Sequence, residues 1–261
     1  FNGNYSIYAN DYNGNVITIN ENEIFNSASC IKIFILVELF RQVYFNEKSL
    51  EEKLKYEKDN LVDGSGILQY LTQGLELNVK DMATLMMIIS DNVATNIMID
   101  YLGIDNINKT IKNLGCLDTK LYCKFESCED KTFSVTTTKD YSHIYELINE
   151  GKLWDKYISE EIIDILKNQK YHEMVGDGIP KIYTETKNDI LNYVISKSGK
   201  YQSVRNDGGI VSTKYGNYIL TIFIKDFLDK DYLNDEYIYK YGRNISNMLF
   251  NRYIALKGKF C

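Results

Sequence analysis

Proline is almost missing from this chain, with Pro180 the only one in 261 residues. A proline-rich linker is therefore excluded, and no internal repeat or low-complexity segment takes its place. Histidine is nearly as scarce, represented by His143 and His172 alone. Neither stands at ligand spacing from Cys123 and Cys128, which argues against a zinc site, and no Ser-His-Asp arrangement is visible. Basic blocks and stripes are absent from a chain of net charge −6, so nucleic acid is not an expected partner. Long apolar runs are absent too. The strongest, Ile31 to Phe40, is short and carries Lys32 and Glu38, so it reads as a buried helix and not as a membrane span. No basic region followed by an apolar stretch stands at Phe1, so any secretory leader lies outside this sequence. Cysteines are few and odd in number (30, 116, 123, 128 and 261), which leaves at least one unpaired within the chain. They read as small hydrophobic residues with at most one loop disulfide, and Cys30 is expected in the core.

What is present suits a folded protein with an ample core: 44% of residues are hydrophobic and 25% charged. The length exceeds the usual single-domain mode but allows one large domain of two lobes over 1–261. Ser6–Ala9 and Val16–Ile19 flank Asn13-Gly14, a strong hairpin signal. A very apolar helix begins near Ser29. The stretch from 46 to about 185 looks mainly helical, with periodic segments around 67–73, 79–89, 92–101, 105–113, 139–149 and 159–168. Three β segments follow, Asn192 to Ser198, Ser203 to Val211 and Tyr218 to Lys225, with a turn at Lys214 to Asn217. A terminal helix runs from about Asp235 to Leu256. Early strands, a helical middle and late strands imply an α+β fold in which one sheet is assembled from both chain ends. The sheet lobe would span about 1–45 and 186–261, and the helical lobe about 46–185.

Three short motifs carry the chemistry: Ser29-Cys30-Ile31-Lys32, Ser90-Asp91-Asn92 and Lys197-Ser198-Gly199. Singly they are cheap. At ordinary residue usage Ser-x-x-Lys occurs about once by chance in a chain this long, Lys-[Ser/Thr]-Gly in about one such chain in eight and Ser-Asp-Asn in about one in twenty-five. Their residue types fit together, however. Ser29 and Lys32 are three apart at a helix start and share a face. A serine hydroxyl needs a neighbour to take its proton, and burial among Ile31, Ile33, Phe34 and Ile35 would keep the Lys32 amine partly neutral for that task. The bland alternative is a helix N-cap at Ser29 and a snorkelling surface lysine at 32. Ser90-Asp91-Asn92 reads as a turn and cap between helices. Lys197, a hydroxyl at Ser198 and the small Gly199 suit a carboxylate, with the glycine letting a substrate approach the backbone. Arg205 adds positive potential or forms a surface salt bridge; both readings stay open.

The order and spacing of these motifs resemble the class A serine β-lactamases and penicillin-binding proteins. Ser90 follows Ser29 by 61 residues and Lys197 follows Ser90 by 107, close to the family's gaps. The flanks are similar as well: Gly64-Ser65-Gly66-Ile67-Leu68, Asp81 to Met86, Val93 to Asn96, and Val204 to Val211. The resemblance covers roughly residues 5 to 255 and implies the β-lactamase/transpeptidase-like fold, with an antiparallel sheet flanked by helices. It implies Ser29 as nucleophile, Lys32 as its base and Ser90 as proton relay. Asn92 would bind the substrate amide and Lys32, Lys197 and Ser198 with Gly199 the substrate carboxylate, and the Lys200 backbone N–H would join that of Ser29 at the oxyanion. Asp91 would hold the turn. The implied protein works without a cofactor, as a monomer in the cell envelope or outside the cell, on β-lactams or D-alanyl peptides. One part departs from the pattern. Glu126 lies 36 residues after Ser90, the distance expected of the glutamate that activates water on the acyl-enzyme. Yet the expected asparagine is replaced by Asp130, a proline by Ser127, and the loop looks short. Glu126 is a working deacylation base or a solvated carboxylate, with Glu129 as its local rival. On that point turn four readings: a β-lactamase, a D-alanyl peptidase of the penicillin-binding type, a slow hydrolase of another ester or amide, and a domain that stays acylated.

Overall fold

Asp11 shapes the first turn of the chain. Its carboxylate accepts the N–H groups of Asn13 and Asn15, and Gly14 takes φ +89°, so the chain reverses between β1 (Asn4–Asn10) and β2 (Val16–Ile19). The computed structural model describes residues 3–128, 132–181, 192–227 and 234–256. After β3 (Phe25–Asn26) a 3₁₀ turn over Ala28–Ile31 leads into α1 (Lys32–Tyr44). β4 (Lys53–Lys55) pairs with β5 (Glu76–Asn78), and α2 (Val79–Ile88), α3 (Asn92–Leu102) and α4 (Ile104–Asn113) follow. β6 (Lys120–Leu121) and β7 (Ser134–Thr136) join β3 in a small sheet before α5 (Thr138–Asn149) and α6 (Lys156–Leu166). The last strands are β8 (Tyr193–Ser196), β9 (Gly199–Tyr201), β10 (Val204–Thr213) and β11 (Gly216–Lys225). They precede α7 (Asn234–Phe250) and a π-helical turn over Asn251–Ala255.

The main sheet is antiparallel and draws on both chain ends, in the order β2-β1-β11-β10-β8 with β9 also paired to β10. Alternation along β11 explains its two covered faces. Ile219 and Phe223 pack toward α1 and α5, beside Phe34 and Tyr141. Leu220, Ile222 and Ile224 pack with Ile238, Leu249 and Tyr253 from the C-terminal helical segment. α1 is apolar on every side and buried from Lys32 through Phe40, the mark of a central helix. Five of the six helical segments expected between 46 and 185 are α-helices. The exception, 67–73, holds only a 3₁₀ turn at Leu68–Tyr70. There the Asp91 carboxylate takes the backbone N–H groups of Ile67 and Leu68 at 2.7 and 2.9 Å, and the chain closes only the i→i+3 bonds from Tyr70 to Ile67 and from Leu71 to Leu68. The segment expected at Asn192 to Ser198 stops at Ser196. The chain leaves the ladder at Lys197-Ser198 and rejoins β10 as β9.

Glycine has a packing purpose at the centre of β10. A Cβ on Gly209 would stand 1.9 Å from the Ile195 carbonyl oxygen, and one on Gly208 would meet Tyr141 and Thr221. Gly209→Ala is therefore expected to lower stability by about 1–3 kcal/mol or to block folding, read as a fall in the urea midpoint, whereas Gly14→Ala, with nothing within 4 Å, costs only its backbone strain.

Candidate active site

Ser29 lies in the 3₁₀ turn, one residue after Ala28, whose φ of +46° is unusual for a residue with a side chain. The turn is held from two directions. Cys30 is fully buried and its Sγ donates to the Lys197 carbonyl at 3.3 Å, while the Tyr141 hydroxyl donates to the same oxygen at 2.6 Å. Burial pushes the Cys30 thiol up to about 12, so it stays protonated and inert beside the candidate nucleophile. Gly199 completes the contact. A Cβ there would come 2.8 Å from the Ser29 nitrogen and 2.9 Å from the Ser27 oxygen. The glycine of the third motif thus admits the serine turn itself, a closer constraint than the approach of substrate expected from the sequence.

Lys32 opens α1 and is fully buried. Its Nζ contacts the Ser90 carbonyl oxygen at 2.7 Å, Ser90 Oγ at 3.0 Å and Asn92 Oδ1 at 2.9 Å. Desolvation, then the nearby Lys197 charge, holds its pKa well below the usual lysine value. Nζ donates to all three: the Ser90 carbonyl and Asn92 Oδ1 can only accept, and the Ser90 hydroxyl oxygen accepts as well. The Phe125 ring covers the amine from a further side, 4.9 Å from Nζ. These contacts come from Ser90, Asn92 and Phe125; the pairing with Ser29 expected from helix spacing is not among them.

The second motif sits between α2 and α3, with Ser90 at φ +57°. Asp91 caps α3 by accepting from Ala94 N at 2.9 Å, while its other oxygen binds the Ile67–Leu68 backbone. Gly64 and Gly66 wrap this turn. A Cβ on Gly64 would lie 2.6 Å from Asn92 Nδ2, and one on Gly66 would lie 2.3 Å from the Asp91 carboxylate. On α3, Asn92, Asn96 and Asp100 recur every fourth residue on one face. Asn96 exchanges two hydrogen bonds with the Phe125 backbone and Asp100 pairs with Lys124 at 2.8 Å. This stripe docks the loop that carries Glu126. A disulfide between Cys123 and Cys128 closes the same loop. Glu126 has φ +61° and is exposed, lining the cleft mouth while Phe125 faces Lys32. Glu129 and Asp130 lie outside the described residues, as does Cys261.

Lys197 and Ser198 are almost wholly buried at the break between β8 and β9, and Lys197 Nζ donates to the Ser198 carbonyl at 2.6 Å. Burial lowers the Lys197 pKa, opposed by the fields of Cys30, Glu173 and Asp207. Arg205 is buried and pairs with Asp235 at the start of α7, which also binds Lys200. Arg205 is thus tied into a salt bridge, as its second reading has it, but a buried one whose single carboxylate is shared with Lys200. A cleft of about 630 Å³ opens over Ser29, Asn92, Phe125, Glu126, Lys200 and Gln202. Ala28, Ser90, Glu126 and Gln202 all have left-handed backbone, so strain gathers at this cleft. Among the described residues no group of three His, Cys, Asp or Glu is placed to hold a metal ion. Sequence reasoning gave no role to Phe125, Glu173 or Asn96; only Asn96 left a signal, its four-residue spacing from Asn92.

Two outcomes are expected from this geometry. Gly199→Ala should displace the Ser29 turn and slow acylation by at least about tenfold while the fold persists, measured by intact mass against time and by circular dichroism; an unchanged rate would refute the contact's importance. Cys123→Ser should lower stability by about 2 kcal/mol on the chain-entropy estimate for so short a loop, seen as a shift in denaturant midpoint.

The profile of the "Beta-lactamase enzyme family" matches residues 1–253. No curated protein sequence matches the chain. Among solved structures, a β-lactamase from Sphaerobacter thermophilus DSM 20745 is similar at 24% identity and a TM-score of 0.87, over 97% of this chain and 92% of that one. PBP-A is similar at 24% identity and a TM-score of 0.82, over 95% and 90%. A PBP-A mutant described as an acyl-enzyme complex with penicillin G is similar at 23% identity and a TM-score of 0.81, again over 95% and 90%. These likenesses establish the β-lactamase/transpeptidase-like fold. With the profile spanning nearly its full length, the chain belongs to the β-lactamase enzyme family.

Proposed function

We propose that this chain is a serine hydrolase that opens the amide of β-lactams through an ester at Ser29 and releases the acyl group slowly. The observation that carries the acylation half is the buried Lys32 amine, held between Ser90 and Asn92 with its pKa depressed. In its neutral form this amine, which contacts Ser90 and Asn92 at rest, closes on Ser29 and takes its proton as the hydroxyl attacks the carbonyl carbon. Ser90, in contact with that amine, returns a proton to the leaving nitrogen. The backbone N–H groups of Ser29 and Lys200 stabilise the oxyanion. Lys197 and Ser198 take a substrate carboxylate, and Asn92 the amide. The acyl-enzyme named for the PBP-A mutant supports penicillins as donors to this fold.

Release depends on a base for water, and here the penicillin-binding reading gains support. The side chain facing Lys32 from the 123–128 loop is the Phe125 ring, whereas Glu126 is exposed at the cleft mouth. We assign Glu126 as the base for a slow second step. The disulfide in this loop supports an oxidising, extracytoplasmic setting. No helix among the described residues is long and apolar enough to cross a membrane.

The test is to mix the protein with a chromogenic cephalosporin and follow turnover and intact mass together. A burst of about one equivalent followed by slow turnover is expected. Ser29→Ala should abolish the burst, Lys32→Ala should slow it about 10²–10⁴-fold, and Glu126→Gln should leave the adduct standing. Because the Lys32 pKa is lowered, the acylation rate should rise with pH as the amine loses its proton and then level off. A wild-type adduct that never turns over would favour the non-hydrolysing reading; no adduct would count against both.

A further inference from the structure

Behind the third motif stands a carboxylate that the acylation chemistry does not use. Glu173 lies in the segment between α6 and β8, where the Asp207 carboxylate accepts the N–H groups of Met174 and Val175 at 2.9 and 2.8 Å and so fixes its position. The Ser198 and Tyr239 hydroxyls lie beside its carboxylate, and the Lys197 charge acts on it. Its Oε2 is buried with no hydrogen-bond partner. An unpaired buried carboxylate oxygen is costly, and this carboxylate lies beside the Ser198 hydroxyl and in the field of Lys197, the two groups proposed to take the substrate carboxylate.

Charge balance makes this position consequential. Lys197 faces two acids, Glu173 from the preceding segment and Asp207 from β10. Asp207 accepts three backbone N–H groups, from Met174, Val175 and Gly208, so its oxygens are committed. Glu173 is the one with a free oxygen. The other titratable groups around it are Cys30, protonated in the serine turn, Tyr239 on α7 and its sequence neighbour His172, and burial disfavours the charged form of each. None of them offsets a second anion. Resting on the proposed acylation of Ser29, we propose that Glu173 is a specificity-determining residue that competes with an anionic substrate for Lys197 and Ser198, so that the site discriminates among acyl donors by the charge they present there.

The direction with pH follows. Burial, then the Asp207 charge, raises the Glu173 pKa above the usual glutamate value. Below it the side chain is a neutral acid that can donate to a substrate carboxylate; above it the side chain repels one. Lys32 titrates in the same experiments and makes every acylation faster as pH rises, so a single donor would confuse the two effects. The ratio of rates for two donors that differ only in this charge cancels Lys32.

The experiment measures acylation by intact mass from pH 4.5, the ordinary glutamate value, to 8 with a penicillin and with its methyl ester, in the wild type and in Glu173→Gln. The acid-to-ester ratio of the wild type should fall about tenfold across this range, the size of one screened charge–charge interaction. In the glutamine chain the ratio should stay flat and end about tenfold higher than the wild type at pH 8, while the ester rates of the two chains agree. A ratio that falls equally in both chains would assign the effect to Lys197 and overturn the inference. Equal losses with both donors would assign Glu173 a purely structural role and overturn it too. Should Glu173→Gln not fold, the wild-type ratio decides, because a flat one is incompatible with competition. No adduct with either donor would refute acylation of Ser29 and this inference with it, whereas adducts with a flat ratio would refute this inference alone.

Discussion

The amine of Lys32 is buried among apolar side chains, and much of the site exists to make that tolerable. A charged ammonium in such a place would cost several kcal/mol, which proteins avoid by lowering the pKa and supplying oxygen partners. The partners here are Ser90 and Asn92, and neither reaches Lys32 without help. Ser90 must enter left-handed backbone, Asp91 must cap α3 and bind the 67–68 backbone, and Gly64 and Gly66 must leave room for the turn. The Phe125 ring then excludes water from one side. The depressed basicity of one lysine is thus a property of four chain segments.

A second set of contacts ties the late strands to the start of α1. The Lys197 carbonyl receives both Cys30 Sγ and the Tyr141 hydroxyl, and Gly199 lies against the Ser29 backbone. Ser29 and the Lys200 backbone are thereby held in one frame, so that small groups in the core set how the serine turn meets the late strands. The same region balances its charges internally: Asp235 answers Arg205 and Lys200, and Glu173 with Asp207 answers Lys197. The third motif is therefore a poised cation site and not a simple positive patch.

The loop from 123 to 128, on which the proposed deacylation depends, is fixed by contacts of its own. Three restraints act on it at once: the Cys123–Cys128 disulfide, the Asn96 bonds to Phe125 and the Lys124–Asp100 pair. Together they choose which of two adjacent side chains turns inward. Successive residues in a turn point apart, so a shift of one residue exchanges an aromatic ring for a carboxylate at the place where water would be activated.

Much of this was legible before any fold was considered. Two-residue alternation and turn signals placed the first hairpin and the late strands, and helical periodicity placed five helices between 79 and 166. The three motifs, in their order, marked Ser29, Lys32, Ser90, Asn92 and Lys197 as residues to be brought together. Local pattern failed at 67–73, where the chain closes only one 3₁₀ turn against the Asp91 carboxylate, and at Lys197-Ser198, where the strand breaks between β8 and β9. Spacing along the chain put Glu126 at the right distance from Ser90 but could not say which way it points, because that is set by Asn96 and a disulfide. Nor could any local pattern mark Phe125 or Glu173, since a lone aromatic and a lone acid acquire meaning only from what packs against them. The sequence alone determined which reactive groups the protein owns and the order in which it carries them. The tertiary structure decided which amine is dry, which carbonyl it faces and which acid stands beside Ser198, because burial and direction are properties of the packed chain.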